Sequence, residues 1–126
     1  MYLPRPVTWK VNRMISADEA RALALSLPGA EERSHFETPD FRVRGKIFAT
    51  LAGPDRMVVR IDPSDQAVLL AAELETFSAC PGAWGSKGWT IVQLDSVDPD
   101  VLRDLVVESW RRLAPKKVVA AYDSST

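Results

Sequence analysis

The sequence is poor in the residues on which disulfides, metal centres and catalytic triads depend: it has one cysteine, Cys80, and one histidine, His35. A lone cysteine cannot form a disulfide within the chain, whereas small secreted domains usually carry several. No apolar run approaches the roughly 18–20 residues that span a bilayer, and residues 1–14 lack the apolar core of a secretory signal. We therefore expect a cytoplasmic protein with no membrane segment.

The sequence also has no excess of positive charge: 16 Lys and Arg residues stand against 17 Asp and Glu, for a formal net charge of −1. Dedicated nucleic-acid binders are usually basic, because neutralising phosphates supplies much of their affinity. Composition therefore counts against a nucleic-acid role unless a local basic cluster supplies it. The 126 residues, 46% of them hydrophobic, suffice for one domain with one core, which we expect to be a monomer.

Four acidic residues, Glu31, Glu32, Glu37 and Asp40, lie near His35, so an acid–base or metal site there has to be considered. Their spacing matches no catalytic triad, and metal sites usually repeat His or Cys at fixed intervals. We predict a structural or surface role for His35 and no metal site.

Cys80 has only Lys87 as a cation close in sequence, so we predict an unreactive thiol. The glycine-rich loop from Gly82 to Gly88 lacks the Lys-Ser or Lys-Thr pair of a phosphate-binding loop, and the pattern after it is that of a strand. Trp84 and Trp89 are predicted to pack on the core, with an aromatic binding platform as the alternative. The sequence thus predicts no catalytic residues and no cofactor, and we expect that the chain is not an enzyme.

Short-range signals predict an α+β fold, with an antiparallel β-meander sheet covered on one face by N- and C-terminal helices. Ser16 and Glu19 form a capping box before the first helix. Between residues 31 and 61, apolar and polar residues alternate over three or four strands, with Ile47, Ala49 and Leu51 expected on one face. Asp-Pro pairs at 62–63 and 98–99 predict two further helices around a strand at 89–94, with residues 73–88 irregular.

The predicted boundaries are an extended arm over residues 1–14, one domain over 15–122 and a frayed tail over 123–126. Pro4 and Pro6 argue against a regular helix in the arm. Pro115 ends the last long helix, and a short final turn is expected over residues 116–122.

Basic residues are the most suggestive feature of the sequence. Arg42, Arg44 and Lys46 follow one another at every second position, so they share a sheet face if strand alternation continues through Gly45. A second group lies at the C-terminal end of the last long helix, where cations also complement the helix dipole: Arg111, Arg112, Lys116 and Lys117. An ordinary solvated surface is the alternative for both groups.

Several runs of the sequence resemble the MmcQ/YjbR family, in the same order along the chain. They are LPGAEE at 27–32, HFETPDFRV at 35–43, GKIFA at 45–49, WGSKGW at 84–89 and APKK at 114–117. The resemblance implies a frataxin-like (CyaY-like) fold and DNA binding of the bacterial double-wing type, with the hairpins around Gly45 and Gly53-Pro54 as wings. The candidate nucleic-acid contacts are then Arg42, Arg44, Lys46, Arg56, Arg60, Lys87, Trp89, Lys116 and Lys117.

The expected partner is therefore DNA, held mainly through phosphates, because no side chain is placed to read bases. The alternative is a module for an unidentified protein or small ligand, using the exposed sheet face and the Trp84–Trp89 loop. A frataxin-like iron role is a weaker option, since the acidic residues near Asp18 and Glu31 are sparse and interrupted by Arg21 and Arg33.

Overall fold

The structure is a computed structural model that describes residues 14–125, and the predicted arm lies outside the described residues except for Met14. The helices are α1 Ala17–Leu25, α2 Pro63–Ala72, α3 Ala83–Ser86, α4 Pro99–Arg111 and α5 Lys116–Ser124. The strands are β1 Glu31–His35, β2 Thr38–Val43, β3 Lys46–Gly53, β4 Arg56–Arg60, β5 Phe77–Ala79 and β6 Trp89–Gln93.

The helix starts follow the capping residues of the sequence. The Ser16 hydroxyl accepts from the Glu19 amide at 3.0 Å, and the Glu19 carboxylate accepts from the Ser16 amide at 3.2 Å, which completes the capping box. Asp62 and Asp98 are the N-caps of α2 and α4, each followed by proline in the first turn.

All six strands form one antiparallel sheet in the order β1-β2-β3-β4-β6-β5. The predicted meander is confirmed, with four strands where three or four were expected. Two elements were missed, since β5 and α3 lie in the segment predicted to be irregular. β5 has three residues, too few to show a periodicity, and is fixed by pairing Phe77 with Val92 of β6.

The core lies between one face of the sheet and the helices. α1 and α4 contact β3, and α4 also contacts β4, around fully buried Phe41, Phe48 and Trp110. The predicted α+β class, with a sheet and N- and C-terminal helices, is confirmed. No helix of the described residues has the length and apolar character needed to cross a membrane.

A bulge in β3 corrects the predicted alternation. Phe41 pairs with Ala49 while the next residue, Arg42, pairs with Ile47, so Phe48 is the extra residue. Phe48 and Ala49 are consequently both fully buried, and Ile47 lies on the opposite face from the one predicted.

The chain beyond Pro115 is more regular than predicted. α5 includes Asp123 and Ser124, which were expected in a frayed tail. The helix is held at this end because Arg111 of α4 contacts the Asp123 carboxylate at 2.7 Å, and Tyr122 stacks edge-on against Trp110 with ring centroids 5.1 Å apart.

Candidate nucleic-acid interface

The antiparallel order of the strands gives the sheet two chemically different ends. At one end lie the β2–β3 turn, the last residue of β4 and the first residue of β6, since Val43 pairs with Lys46 and Arg60 pairs with Trp89. At the other end lie the β1–β2 and β3–β4 turns, the start of β5 and the end of β6. We call these the basic end and the acidic end.

Charge separates between the two ends. In the four connections at the acidic end, every charged residue is acidic: Glu37, Asp55, Glu73, Glu75, Asp95 and Asp98. The connections at the basic end carry Arg44, Lys87 and Arg112 against one acid, Asp62. The adjacent strand ends add Lys46, Arg60 and Glu31 at the basic end and one cation, Arg56, at the acidic end. Glu31 lies on the outermost strand and contacts Arg33 at 3.5 Å. The described part of this nearly neutral protein is therefore electrically polar along its strands.

The β2–β3 hairpin presents two of the basic residues. Arg44 and Gly45 form its two-residue turn with φ values of 56° and 76°, which is the left-handed geometry of a type I′ turn. Both Arg44 and Lys46 are exposed. Within residues 14–125, neither forms an ion pair, so both are available for an anion.

The expectation that Arg42, Arg44 and Lys46 share one sheet face is wrong. Residues paired across antiparallel strands lie on the same face. Lys46 pairs with buried Val43 on the helix-covered face, whereas Arg42 pairs with Ile47 on the other face, and Arg44 belongs to the turn. The alternation is interrupted because the turn, not a continuous strand, separates the three residues.

Arg42 is already neutralised by a carboxylate. Its guanidinium contacts fully buried Asp40 twice, through Nε to Oδ1 at 2.8 Å and through Nη2 to Oδ2 at 3.1 Å. The Nδ1 of His35 also lies 2.8 Å from Oδ2 of Asp40. The Arg42 hydrogen bond is the main cause that lowers the pKa of Asp40, against the opposing effect of burial. His35 therefore contacts a structural ion pair, and Arg42 is a poor candidate for binding phosphate.

A second group of candidates meets in the loop between β5 and β6. Trp84 is 63% exposed and packs edge-on against Trp89, with ring centroids 6.3 Å apart and planes at 73°. The guanidinium of Arg60 lies 5.9 Å from the Trp89 ring centroid, and its Nε donates to the Lys87 carbonyl at 3.3 Å. The Lys87 ammonium lies 5.7 Å from the Trp84 ring centroid. This cluster of Arg60, Trp84, Lys87 and Trp89 is the aromatic–basic cluster.

Gly88 makes this loop geometry possible. Its φ is 101°, and a Cβ at this position would lie 1.8 Å from the Ile61 carbonyl oxygen. The close approach lets the Ile61 amide donate to the Gly88 carbonyl at 3.0 Å, which ties the loop to the end of β4. Lys87 and Trp89 are thus placed beside Arg60 by a backbone contact that only glycine permits.

Of the remaining candidates, Arg56 lies outside the basic end, whereas Lys116 and Lys117 directly follow the connection that carries Arg112. Arg56 lies at the acidic end, 3.6 Å from Asp55, because two successive hairpins that share β3 must turn at opposite ends of it. The two mapped wings are therefore separated by the length of that strand. Lys116 and Lys117 begin α5 in the helical layer.

Cys80, the one cysteine of the sequence, lies partly buried between β5 and α3. Partial burial raises the pKa of the Cys80 thiol, which disfavours its reactive thiolate. Among residues 14–125, no group of three or more His, Cys, Asp or Glu side chains is arranged to hold a metal ion.

Two residues contribute more to the candidate interface than the sequence predicted. Trp84 was expected mainly to pack on the core, yet most of its surface is exposed. Arg112 belongs to the second basic group but was not among the candidate contacts, although it lies close enough to Asp62 to help lower the pKa of that carboxyl, after the hydrogen bonds from Ser64. The sequence signal for an exposed Trp84 was its position in a glycine-rich loop, between Gly82 and Gly85.

Comparison with known proteins agrees with this architecture. A family model described as YjbR matches residues 25–112, and no curated protein matches the chain. Among solved structures, the crystal structure of Deinococcus radiodurans protein DR2400, with the family-model domain DUF419, is similar with a TM-score of 0.71. The two chains are 24% identical, the similarity covers 85% of each, and it supports the fold alone.

Proposed function

The chain belongs to the YjbR family, and from that premise we propose that it is a non-enzymatic, cytoplasmic protein that binds nucleic acid, DNA in the first instance, by holding backbone phosphates at the basic end. The observation that carries the proposal is the separation of charge between the two ends of the sheet. A polyanion is attracted to one end and repelled from the other, so the surface selects an orientation that net charge does not reveal.

Four cations are available for phosphates: Arg44, Lys46, Arg60 and Lys87. Within the described chain, none of them forms an ion pair, in contrast to Arg42 with its buried Asp40. Each neutralised phosphate of a single strand contributes about −0.7 to the slope of log affinity against log salt, so four contribute about −3. The expected binding is weak and indifferent to sequence, because phosphate contacts position a nucleic acid without reading its bases.

The proposal is tested by fluorescence anisotropy with labelled 20-nucleotide oligonucleotides at about 50 mM salt. The double variant Arg44→Gln, Lys46→Gln should weaken binding on every sequence and reduce the salt slope by about 1.4. Arg56→Gln is the matched control, since it removes one arginine from the opposite end of the sheet. Absence of binding by the native protein, or an equal effect of Arg56→Gln, would contradict the proposal.

The alternative, a module for a protein or small ligand, draws on the exposure of Trp84. It is distinguished by the same titration. Under this alternative, oligonucleotides do not bind at about 50 mM salt, and a partner captured by the native protein is lost on Trp84→Ala while the fold persists.

A further inference from the structure

Trp84 is placed as an exposed aromatic surface and not as a core residue. Trp110 is fully buried and Trp89 is partly buried, whereas 63% of Trp84 is exposed. The Trp89 ring contacts Trp84 only edge-on, and the Lys87 ammonium lies 5.7 Å from the Trp84 ring centroid, so neither side chain covers the indole. A large apolar ring left in water gains little for folding, so packing does not account for a tryptophan at this position.

We infer that Trp84 is a stacking platform for an unpaired base, and that the ligand class of the basic end is single-stranded nucleic acid. The inference rests on the proposed phosphate-binding function and adds the conformation of the ligand to it. A nucleotide unit has a base and a phosphate, and Trp84 and Lys87 offer an indole face for one and an ammonium group for the other. Arg60, beside Trp89, offers a guanidinium for the next phosphate.

The choice between single strand and duplex follows from stacking. Inside a duplex, the faces of each base are covered by its neighbours, and an external indole reaches them only if a step is unstacked. In a single strand, the bases can turn outward and stack on aromatic side chains while the backbone follows a basic groove. Cations alone bind both forms, so the indole is the feature that discriminates between them.

The platform is held in place before the ligand arrives. The Lys87 amide donates to the Trp84 carbonyl at 3.1 Å, and the Cys80 amide donates to the Trp89 carbonyl at 3.0 Å. With the Ile61–Gly88 contact, these bonds fix the backbone on both sides of the indole. Little ordering of the backbone is then required on binding, which favours affinity.

The test compares three labelled probes of the same length at about 50 mM salt: a 20-nucleotide thymidine strand, a 20-base-pair duplex and a 20-nucleotide abasic strand. The native protein should bind the thymidine strand most tightly. Trp84→Ala should weaken binding to that strand about 5- to 150-fold, while binding to the abasic strand changes less than about twofold. Trp84→Phe, which keeps a smaller ring, should retain part of the preference.

Phe36→Ala is the matched control, because Phe36 is 99% exposed and lies at the acidic end of the sheet. It should leave the affinity for all three probes unchanged, and circular dichroism checks that each variant is folded. Equal binding of all three probes by the native protein overturns the inference while the phosphate-binding function stands. If none of the probes binds, both the inference and the proposed function fail.

Discussion

Replacement of Gly88 by alanine tests whether the Ile61 contact positions the loop that carries Lys87 and Trp89. A Cβ at residue 88 would lie 1.8 Å from the Ile61 carbonyl oxygen and 3.1 Å from its carbonyl carbon. The atoms that would clash with this Cβ belong to the backbone of Ile61, so the clash is relieved only if the end of β4 or the loop moves. Either movement breaks the hydrogen bond between Ile61 and Gly88, which is 3.0 Å long.

The free energy of unfolding should fall by about 3 kcal/mol. A left-handed φ costs an alanine about 1–2 kcal/mol, and loss of a backbone hydrogen bond costs about 1 kcal/mol more, with steric displacement added. A gain of about 0.4–1 kcal/mol from the reduced entropy of the unfolded chain offsets part of this. For a domain with about 5–15 kcal/mol of stability, the loss is large, and the melting temperature should fall by roughly 10 °C.

Gly45→Ala is the matched control, because Gly45 also has a left-handed φ, 76°, but a Cβ there would meet nothing within 4 Å. It should lose only about 1 kcal/mol, measured for both variants by urea unfolding followed by far-UV circular dichroism. Folded Gly88→Ala should also bind the thymidine strand more weakly. Losses of stability that agree within about 0.5 kcal/mol would show that the Ile61 contact is not what requires glycine at residue 88.

Two further predictions concern titrating groups. Because the folded pKa of Asp40 is depressed, chiefly by Arg42, its contribution to stability is present above the ordinary value of about 3.9 and is lost as the pH falls through the folded value. Asp40→Asn should therefore flatten the loss of stability between pH 5 and pH 2 in urea titrations, and parallel losses in the two proteins would contradict this. Cys80, whose pKa is raised by burial, should react with iodoacetamide at pH 7.5 more slowly in the native protein than in urea, and equal rates would refute that expectation.

The parts of the fold that sequence predicts are those set by neighbours in the chain. Ser16, Asp62 and Asp98 each satisfy the amide groups of the helix that follows within three residues, so their positions mark helix starts without any tertiary information. The bulge at Phe48 is different. It exists because two residues of β3 face one residue of β2, and that pairing is visible only when the register is known.

The candidate interface also has features that the sequence predicts and features that depend on the order of the strands. The Asp40–Arg42 pair was open to prediction, since residues two apart on a strand point to one face. The opposite placement of the Gly45 and Gly53-Pro54 turns also follows from their shared strand. No short-range pattern places Lys87 and Trp89 beside Arg60, because β6 inserts between β4 and β5 and joins residues far apart in sequence.

The acidic net charge is a weak objection to a nucleic-acid role, because net charge averages two ends that an approaching ligand meets separately. β4 spans the distance between the ends with five residues, Arg56–Arg60, or about 16 Å at roughly 3.3 Å per residue. The Debye length at physiological salt is about 8 Å, so a phosphate at the basic end lies about two Debye lengths from the acidic end. Repulsion from Asp55 and its neighbours is then largely screened, whereas Arg44, Lys46, Arg60 and Lys87 act at contact. The field that decides binding is therefore local, and it is set by which connections of the sheet carry each sign of charge.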